Sequence, residues 1–465
     1  MADWKQPNRL LDWGLTHCPK LECRSLKDRS GRPLGWLLGT AIDQDGNVIK
    51  SSKAYTLPID SASANFWEDL ETDISRLAGK YIAFVITPQG KRVYFDPVMD
   101  LPAVYNAKEK LVGTSPLITL THPMKINHRA NHKWIIKEGG NYGMQQTCDP
   151  DVQRALSNHY LDLDSFALHR HWPNSDETFD RQPGSLQDTA EFIVARLGQI
   201  TGALLENYSC AVPLSGGADS RTLAFSAKSK LQLAKACFSH RTNWITGIDC
   251  YLATQMANVL GVGLQIIDAV DVIRNQAISP DHVRKLRWDF CHRTGYQNAP
   301  SNTELVASDL IPEADFVIRG NIMDMTRANQ WPRSFKFSIG HAISKLAIGG
   351  RPTEENLNYW APEYKNWLTT VPTHARARAY EFAFVEHLLP NTLGARLMGY
   401  NKASYINPFN DRSLIKACMQ VSPESRKSGE LQKAIYVACD APDIPFVADV
   451  KSNDDLKAKA AQLFE

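Results

Sequence analysis

The sequence predicts an α/β protein with a β-rich N-terminal part and a C-terminal part built on a parallel sheet. The 465 residues exceed what one ordinary hydrophobic core holds, so we expect two domains, 1–180 and 181–465. Short apolar runs separated by turn signals dominate residues 1–125. After residue 181 strand and helix patterns alternate, which is typical of a parallel sheet with helices on its faces.

Apolar runs bounded by turn residues predict the strands of the N-terminal part. The run GWLLGTAI at 35–42 ends at a turn rich in Asp, Gly and Asn, and KYIAFVIT at 80–87 ends at a Pro-Gln-Gly turn. Residues 92–95 are the expected hairpin partner of the second run. Further short strands are expected at 104–105 and 110–113.

The C-terminal part is predicted to begin after a connector. Residues 140–180 carry several Gly and Pro turn pairs and little periodicity, with one strand expected at 158–164. Apolar residues at helical spacing predict a helix at 185–206. The following predictions are strand 211–214, helix 220–229, strand 234–239, helix 247–260, strand 264–267 and strand 316–318. Ligands of such sheets bind beyond the carboxyl ends of the strands.

Charge and composition narrow the classes of function. The chain has 52 basic and 50 acidic residues, a net charge of +2, and this balance disfavours nucleic acid as a partner. Nine scattered cysteines without a CxxC pair predict reduced thiols, mostly buried, rather than a zinc site or disulfides. The N-terminus has no signal-peptide core, and no apolar run reaches the ~20 residues that span a bilayer. We therefore expect a cytoplasmic protein without a membrane partner.

The most specific motif is PLSGGADSRT at 213–222. A predicted buried strand leads into Ser215–Gly217, and a helix begins near Asp219. Two adjacent glycines let the backbone approach an anion, and amide N–H groups at a helix N-terminus hold phosphate. Asp219 is unusual in an anion site unless Mg²⁺ bridges its carboxylate to phosphate oxygens. The alternative is an ordinary capped Gly-Gly turn; the kinase pattern GxxxxGK[ST] is absent.

This loop resembles that of the asparagine synthetase superfamily, whose synthetase domain carries SGGxDS. Residues 236–239 and 247–261 resemble the family's second strand and helix, where adenine lies against the backbone. FVIRGNIMDM at 316–325 resembles the segment that supplies a second magnesium-binding aspartate. YINPFNDRSL at 405–414 is similar to the family's SPFLDHRL segment, and residues 80–105 resemble its amidotransferase-like domain.

The resemblance implies ATP and Mg²⁺ as cofactors and a set of site residues. It implies that Asp219 and Asp324 are catalytic magnesium ligands and that Lys451 is the lysine that stabilises the transition state. The implied nucleotide-binding residues are Leu214, Ser215, Gly216, Gly217, Asp219, Ser220, Phe238, Ser239 and Gly320. The alternatives are a solvated loop acid for Asp324 and an exposed tail lysine for Lys451. Arg319 and Arg327 are interpreted as surface charge, with contacts to phosphate or a substrate carboxylate as the alternative.

Two departures from the family separate its branches. Members that hydrolyse glutamine begin with a catalytic cysteine, but here Ala2 and Asp3 follow Met1. The resemblance therefore implies an Ntn-type amidotransferase-like domain that lacks the nucleophile. Ring-closing lactam synthetases use a Tyr–Glu base, with Tyr where this chain has Asn321, and residues 391–399 contain no Glu. An amide is barely basic, so a β-lactam synthetase is disfavoured.

We therefore expect an ATP-dependent carbon–nitrogen ligase similar to lasso-peptide cyclases. Such an enzyme closes a macrolactam in a precursor peptide and works with a leader peptidase and a leader-recognition protein. The segments NHYLDLD at 158–164 and RHWP at 170–173 support this similarity. Their histidines, His159, His169 and His171, lack metal-ligand spacing, and structural roles are predicted. The open alternatives are a β-lactam- or carbapenam-synthetase-like enzyme, an ammonia-dependent asparagine synthetase relative, and a binding homologue without catalysis.

Overall fold

A computed structural model describes residues 8–50, 53–129, 135–136, 140–180, 182–346 and 352–464. It shows a β-rich N-terminal region followed by a parallel sheet flanked by helices, which confirms the mixed α/β prediction. The N-terminal strands are β1 (Asn8–Leu10), β2 (Trp13–Leu15), β3 (Cys23–Lys27), β4 (Pro33–Ile42), β5 (Tyr55–Thr56), β6 (Ala78–Thr87), β7 (Gly90–Phe95), β8 (Val104–Asn106), β9 (Leu111–Gly113), β10 (Gln153–Arg154), β11 (His159–Asp162) and β12 (Leu168–Arg170).

A seven-stranded sheet in the order β12-β11-β7-β6-β4-β3-β5 forms the centre of the N-terminal region. Its middle strands β4 and β6 pair antiparallel from Gly35 opposite Val85 to Ile42 opposite Ala78. β6 is buried throughout, which explains why its sequence is apolar without alternation. One face packs against helix α1 (Phe66–Ser75), and the other carries a second apolar cluster beside β8.

Residues 140–180 are not a connector, and that prediction is wrong. β10 pairs with β8, while β11 and β12 extend the seven-stranded sheet beyond β7. β11 is four residues long and shorter than the strand predicted at 158–164. Strands of two to four residues are too short to show a period, and this hid them in the sequence.

Helices surround the C-terminal sheet. They are α2 (Leu186–Asn207), α3 (Ala218–Ser226), α4 (Trp244–Leu260), α5 (Ala269–Arg274), α6 (Pro280–Thr294), α7 (Asn302–Asp309), α8 (Ile339–Lys345), α9 (Glu354–Thr370), α10 (Ala379–Ala383), α11 (Arg412–Gln420), α12 (Pro423–Lys427), α13 (Glu430–Ala438), α14 (Val447–Ser452) and α15 (Asp454–Gln462). Short 3₁₀ segments lie at Pro116–Ile118, Leu231–Leu233, Asn321–Arg327 and Thr373–Arg378, and π-helical turns at Phe384–Leu388 and Pro390–Ala395.

The C-terminal sheet has five parallel strands. They are β13 (Cys210–Pro213), β14 (Ala236–Arg241), β15 (Leu264–Asp268), β16 (Phe316–Ile318) and β17 (Ser404–Ile406). Their spatial order is β15-β14-β13-β16-β17. β14 and β15 are added on one side of β13, and the chain then crosses to place β16 and β17 on the other side of β13. The order reverses between β13 and β16. Ligands bind at such a switch point, which directs attention to the loops after these two strands.

The segment after β17 joins the two sheets. Asn410 donates from Nδ2 to Asp96 Oδ1 at 2.7 Å, and Lys80 Nζ donates to the backbone oxygen of Tyr405 at 2.9 Å. All four residues are buried. Because buried polar groups need partners, residues 405–414 require the N-terminal sheet to satisfy them.

Two further observations bear on the predictions from composition. Among the described residues, no helix combines the length and the apolar character needed to cross a membrane. All nine cysteines lie among the described residues as thiols rather than disulfides, and six of them are buried.

Candidate nucleotide-binding site

The loop after β13 adopts the predicted strand–loop–helix form. The amide of Leu214 donates to the backbone oxygen of Phe238 at 2.8 Å, and the strand pairing stops there. Helix α3 then begins at Ala218 with Gly217 as its N-cap. The hydroxyl oxygens of Ser215 and Ser220 lie 2.9 Å apart across the loop. Two hydroxyl groups and the first amides of α3 therefore lie together at the carboxyl end of the central strand.

Close packing at two positions favours glycine. A Cβ at Gly216 would overlap Leu252 Cδ1 and lie 3.1 Å from Leu252 Cβ. A Cβ at Gly320 would lie 3.2 Å from the backbone oxygen of Asp219, closer than nearly all such contacts. The Gly320 contact shows that the loops after β13 and β16 pack closely against each other.

The structure brings the two predicted magnesium ligands together. Arg327 Nη1 donates to Asp219 Oδ1 at 2.6 Å. Its Nη2 donates to Asp219 Oδ2 at 3.1 Å and to Asp324 Oδ1 at 2.6 Å. Asn329 Nδ2 also donates to Asp324 Oδ1, at 2.7 Å. One guanidinium thus bridges carboxylates from two different loops.

The interpretation of Arg327 as surface charge is wrong, since only 25% of its side chain is exposed. Asp324 and Arg327 lie on the 3₁₀ segment 321–327, and in a 3₁₀ helix side chains three residues apart share one face. This geometry places the arginine beside the carboxylate. Arg319 instead donates from Nε to Asn321 Oδ1 at 3.1 Å, so the Asn321 side chain is engaged within its own loop.

The charges of this site are strongly coupled. Burial raises the pKa of Asp219, the bonds from Arg327 oppose the rise, and the nearby charge of Asp324 adds to it. Burial lowers the pKa of Arg327, but its bonds to both aspartates more than offset this and the pKa is raised overall. Two adjacent carboxylates are the donors that Mg²⁺ prefers, so the residues present fit this ion.

Asp249 and Lys451 lie at the other side of the loop. Asp249 Oδ1 accepts the N–H of Gly216 at 3.0 Å. Burial raises the pKa of Asp249, while the Gly216 bond and the positive charge of Lys451 oppose the rise. Lys451 is exposed on α14, yet it acts electrostatically on the residue that holds the loop. Nothing in the sequence around Asp249 distinguishes it from other helical acids.

Arg221 holds the segment before Lys451 against the loop helix. Its Nη1 donates to the backbone oxygen of Ile444 at 2.7 Å and its Nη2 to that of Pro445 at 3.0 Å. The guanidinium lies 4.2 Å from the ring centre of Phe446. Arg221 lies inside the PLSGGADSRT string, but its role depends on a partner 223 residues later and has no local signal.

The remaining predicted nucleotide contacts, Phe238 and Ser239, lie within β14. Phe238 and Ser239 are 2% and 3% exposed. Strand β14 continues to Arg241, two residues beyond its predicted end at 239, and Ser239 pairs in register with Ile266 of β15. Phe238 and Ser239 therefore belong to the sheet, and Arg241 ends the strand with an ion pair to Asp268.

A second group of potential metal ligands lies elsewhere. One ligand atom each of His122, Asp149 and Asp151 falls within 4.8 Å of the others. Asp151 Oδ2 is 3.1 Å from His122 Nε2 and 3.2 Å from Lys125 Nζ, and Asp149 Oδ2 accepts the Lys125 amide at 2.7 Å. These contacts make the group an ion-pair cluster within the N-terminal region.

The three histidines singled out in the sequence have structural surroundings. His159 Nδ1 lies 3.0 Å from the backbone oxygen of Ser157, and the ring of His169 stacks on Tyr160. His171 is buried edge-on against Tyr94. Among the described residues none of the three belongs to a metal-ligand group.

No model of a known protein family matches the chain, and no curated protein matches it.

Proposed function

We propose that the chain is an ATP-dependent carbon–nitrogen ligase that adenylates a carboxylate and then forms an amide. The observation that carries this proposal is the shared ion pairing of Asp219 and Asp324 beside the Ser215–Ser220 loop. The loop offers amide and hydroxyl donors to a pyrophosphate, and the two aspartates offer oxygen ligands to Mg²⁺. Both groups lie at the switch point of a parallel sheet, where nucleotides bind.

The reaction has two steps. A substrate carboxylate oxygen bonds to the α-phosphorus of ATP, and the bond to the bridging oxygen breaks to release pyrophosphate. An amine then bonds to the acyl carbon, the carbon–oxygen bond to AMP breaks, and the amine loses a proton. When bound, Mg²⁺ offsets the negative charge that grows on the phosphate oxygens. The loop donors bind the leaving pyrophosphate, and Lys451 supplies a further positive charge.

We further propose that the substrate is a precursor peptide and the product a macrolactam, as in lasso-peptide cyclases of the asparagine synthetase superfamily. On this proposal residues 1–180 form an Ntn-type domain without its nucleophile, and 181–465 an ATP-pyrophosphatase domain. Ala2, the residue on which this expectation rests, lies outside the described residues. Asn321, in place of a lactam-forming tyrosine, supports a peptide substrate. Holding both peptide ends close supplies a proximity gain of up to ~7–11 kcal/mol.

The test is a reconstituted cyclisation. The chain is incubated with a leader peptidase, a leader-recognition protein, precursor peptide and Mg-ATP. All of these partners would meet the chain in the cytoplasm, where we propose that it acts. We expect a product one water lighter than the linear core peptide, with equal amounts of AMP and pyrophosphate. Neither glutamine nor ammonia should change the rate. A linear peptide left unchanged, while a small amino-acid analogue still supports ATP cleavage, would favour the β-lactam- or carbapenam-synthetase-like alternative. Asparagine made from aspartate and ammonium would favour the synthetase relative.

A binding homologue without catalysis is the second candidate. Two observations favour it: Arg327 is hydrogen-bonded to both aspartates that would hold the metal, and Asp249 accepts the Gly216 amide that a phosphate would use. ATP–pyrophosphate exchange separates the two candidates. A chain that binds ATP but exchanges no pyrophosphate with any peptide or amino-acid carboxylate would support the binding homologue.

A further inference from the structure

A cavity of about 540 Å³ opens beside Asp324. Its apolar wall is formed by Trp331, Phe384 and Leu388. Cavities of ~300–1,000 Å³ accommodate small molecules or short peptide segments, and not whole protein domains. The cavity therefore adjoins the proposed adenylation site and has the size of a few amino-acid residues.

The apolar wall is held in place by a buried polar network. Trp331 Nε1 donates to Glu381 Oε1 at 2.7 Å. Glu381 is fully buried and is also paired with Arg426. A side chain fixed in this way keeps its position before a ligand arrives, which lowers the entropic cost of binding.

Three cations line the same cavity: Arg333, Lys345 and Lys427. Within the described part of the chain, none of them forms an ion pair with an acid. Lys427 Nζ donates to the backbone oxygen of Trp331 at 2.6 Å. Burial lowers the pKa of Lys427, and the positive charges of Lys345 and Arg333 lower it further. Unneutralised positive charges in a concave site attract an anion.

Gln330 adds an unpaired acceptor. It lines the cavity, is only 3% exposed, and its Oε1 has no hydrogen-bond partner among the described residues. A buried acceptor without a partner costs about 1–3 kcal/mol, so a ligand that donates a hydrogen bond here gains affinity. A peptide N–H is such a donor.

We propose that this cavity binds an acidic peptide segment, with its carboxylate at Lys345, Arg333 and Lys427 and an apolar side chain against Trp331. Gln330 Oε1 accepts a backbone N–H of the same segment. That the segment belongs to the substrate rests on the proposed function; that it binds does not. The cavity then selects a peptide with an acidic residue next to an apolar one.

Two capped tripeptides that differ in one functional group test this directly: acetyl-Phe-Gly-Glu-amide and its neutral counterpart acetyl-Phe-Gly-Gln-amide. Calorimetric titration at low salt, without nucleotide, should show about tenfold tighter binding of the acidic peptide, a difference of ~1.4 kcal/mol. Higher salt should reduce the difference. Inorganic phosphate should bind more weakly than the acidic peptide.

Exposed cations allow variants that keep the fold. The double variant Arg333→Gln/Lys345→Gln should bind both peptides within about twofold of each other, since most of the tenfold charge preference is removed. Lys336→Gln is the matched control, because Lys336 is exposed in the same stretch but does not line the cavity. Circular dichroism checks that all variants are folded.

The outcomes separate this proposal from the proposed function. Equal affinity for the two peptides in the unchanged protein, or phosphate binding as tight as that of the acidic peptide, would overturn the acidic-peptide site. Pyrophosphate exchange is measured independently of these titrations. Pyrophosphate exchange without a preference for the acidic peptide would support the proposed ligase and contradict the proposed peptide site. A preference for the acidic peptide without pyrophosphate exchange on any substrate would support the peptide site and contradict the ligase.

Discussion

At the scale of single residues, Asp219 carries the sharpest prediction. Asp219→Asn should lower ATP–pyrophosphate exchange by at least ~100-fold, because groups that stabilise charge in a transition state contribute about that much. The fold should persist, because an amide oxygen still accepts a bond from Arg327.

Asp281→Asn is the matched control for this variant. Both aspartates lie in the first turn of a helix and lose the same interaction with the helix dipole, about 0.3–1 kcal/mol. Asp281 is far more exposed and has no partner in the site. Near-normal exchange by the Asp219 variant would exclude its role as a metal ligand.

Gly216 carries a prediction about packing. Gly216→Ala places a methyl group against Leu252 and should cost about 1–3 kcal/mol of unfolding free energy, measured in urea. Gly263→Ala, where a Cβ meets nothing within 4 Å, should be nearly neutral.

A double variant shows whether the contact with Leu252 is the cause. Leu252→Ala alone should cost about 2–5 kcal/mol, since the side chain is fully buried. Combined with Gly216→Ala the two losses should be less than additive by ~0.5–3 kcal/mol. Strict additivity would mean that the alanine methyl is accommodated without moving Leu252.

At the scale of elements, Arg221 links helix α3 to the chain that precedes α14. Arg221→Met removes the donors to Ile444 and Pro445 and leaves the buried carbonyl oxygen of Ile444 unpaired, at about 1–3 kcal/mol. We expect faster amide hydrogen exchange across 444–464 and unchanged exchange in β4 and β6. Arg284→Met, at an exposed position, should change neither. Uniformly faster exchange over the whole chain would instead indicate a global loss of stability.

The parts of the fold that the sequence predicted are those with a strong local signal. Strand β16 at 316–318 was predicted with its observed bounds, and the helix predicted at 185–206 is one residue out at each end, because Ser185 caps it. β10 and β12 gave no period to detect. At the candidate site the sequence named Asp219 and Asp324, whose loops the structure brings together; it named Arg327 with surface charge as the preferred interpretation, and it did not single out Asp249. Arg327 and Asp249 are defined by partners that only the tertiary fold brings near.

At the scale of the whole molecule, three buried histidines at the junction of the two sheets predict acid sensitivity. Burial, together with the charge of Arg170, lowers the pKa of His159 to about 4. Burial lowers the pKa of His387 to about 4 as well, and it lowers the pKa of His171 well below its usual range. At these three side chains the unfolded state therefore binds more protons than the folded state between pH ~6.5 and ~4. The contribution of the three histidines to stability should be complete above pH ~6.5 and fall with pH, by up to ~1.4 kcal/mol per pH unit for each histidine. The buried Asp96, whose pKa is raised to about 7, contributes with the opposite sign.

His387→Phe tests the size of this effect. His387 is 4% exposed and packs edge-on against Trp367, where a phenyl ring fits. Urea denaturation at several pH values between ~4.5 and ~7 should give a shallower fall for the variant, by roughly one third of the slope that the three histidines produce. His374→Phe, at an exposed histidine, should leave the slope unchanged. An identical slope in the His387 variant would place the acid sensitivity elsewhere.

The bridge that Arg327 makes between Asp219 and Asp324 has a thermodynamic consequence for ligand order. A divalent cation that binds these carboxylates competes with a guanidinium already bound to both. Metal alone then binds weakly, while the phosphates of a nucleotide give Arg327 a new anionic partner. Metal and nucleotide should therefore bind with positive cooperativity, each raising the affinity for the other by the same factor.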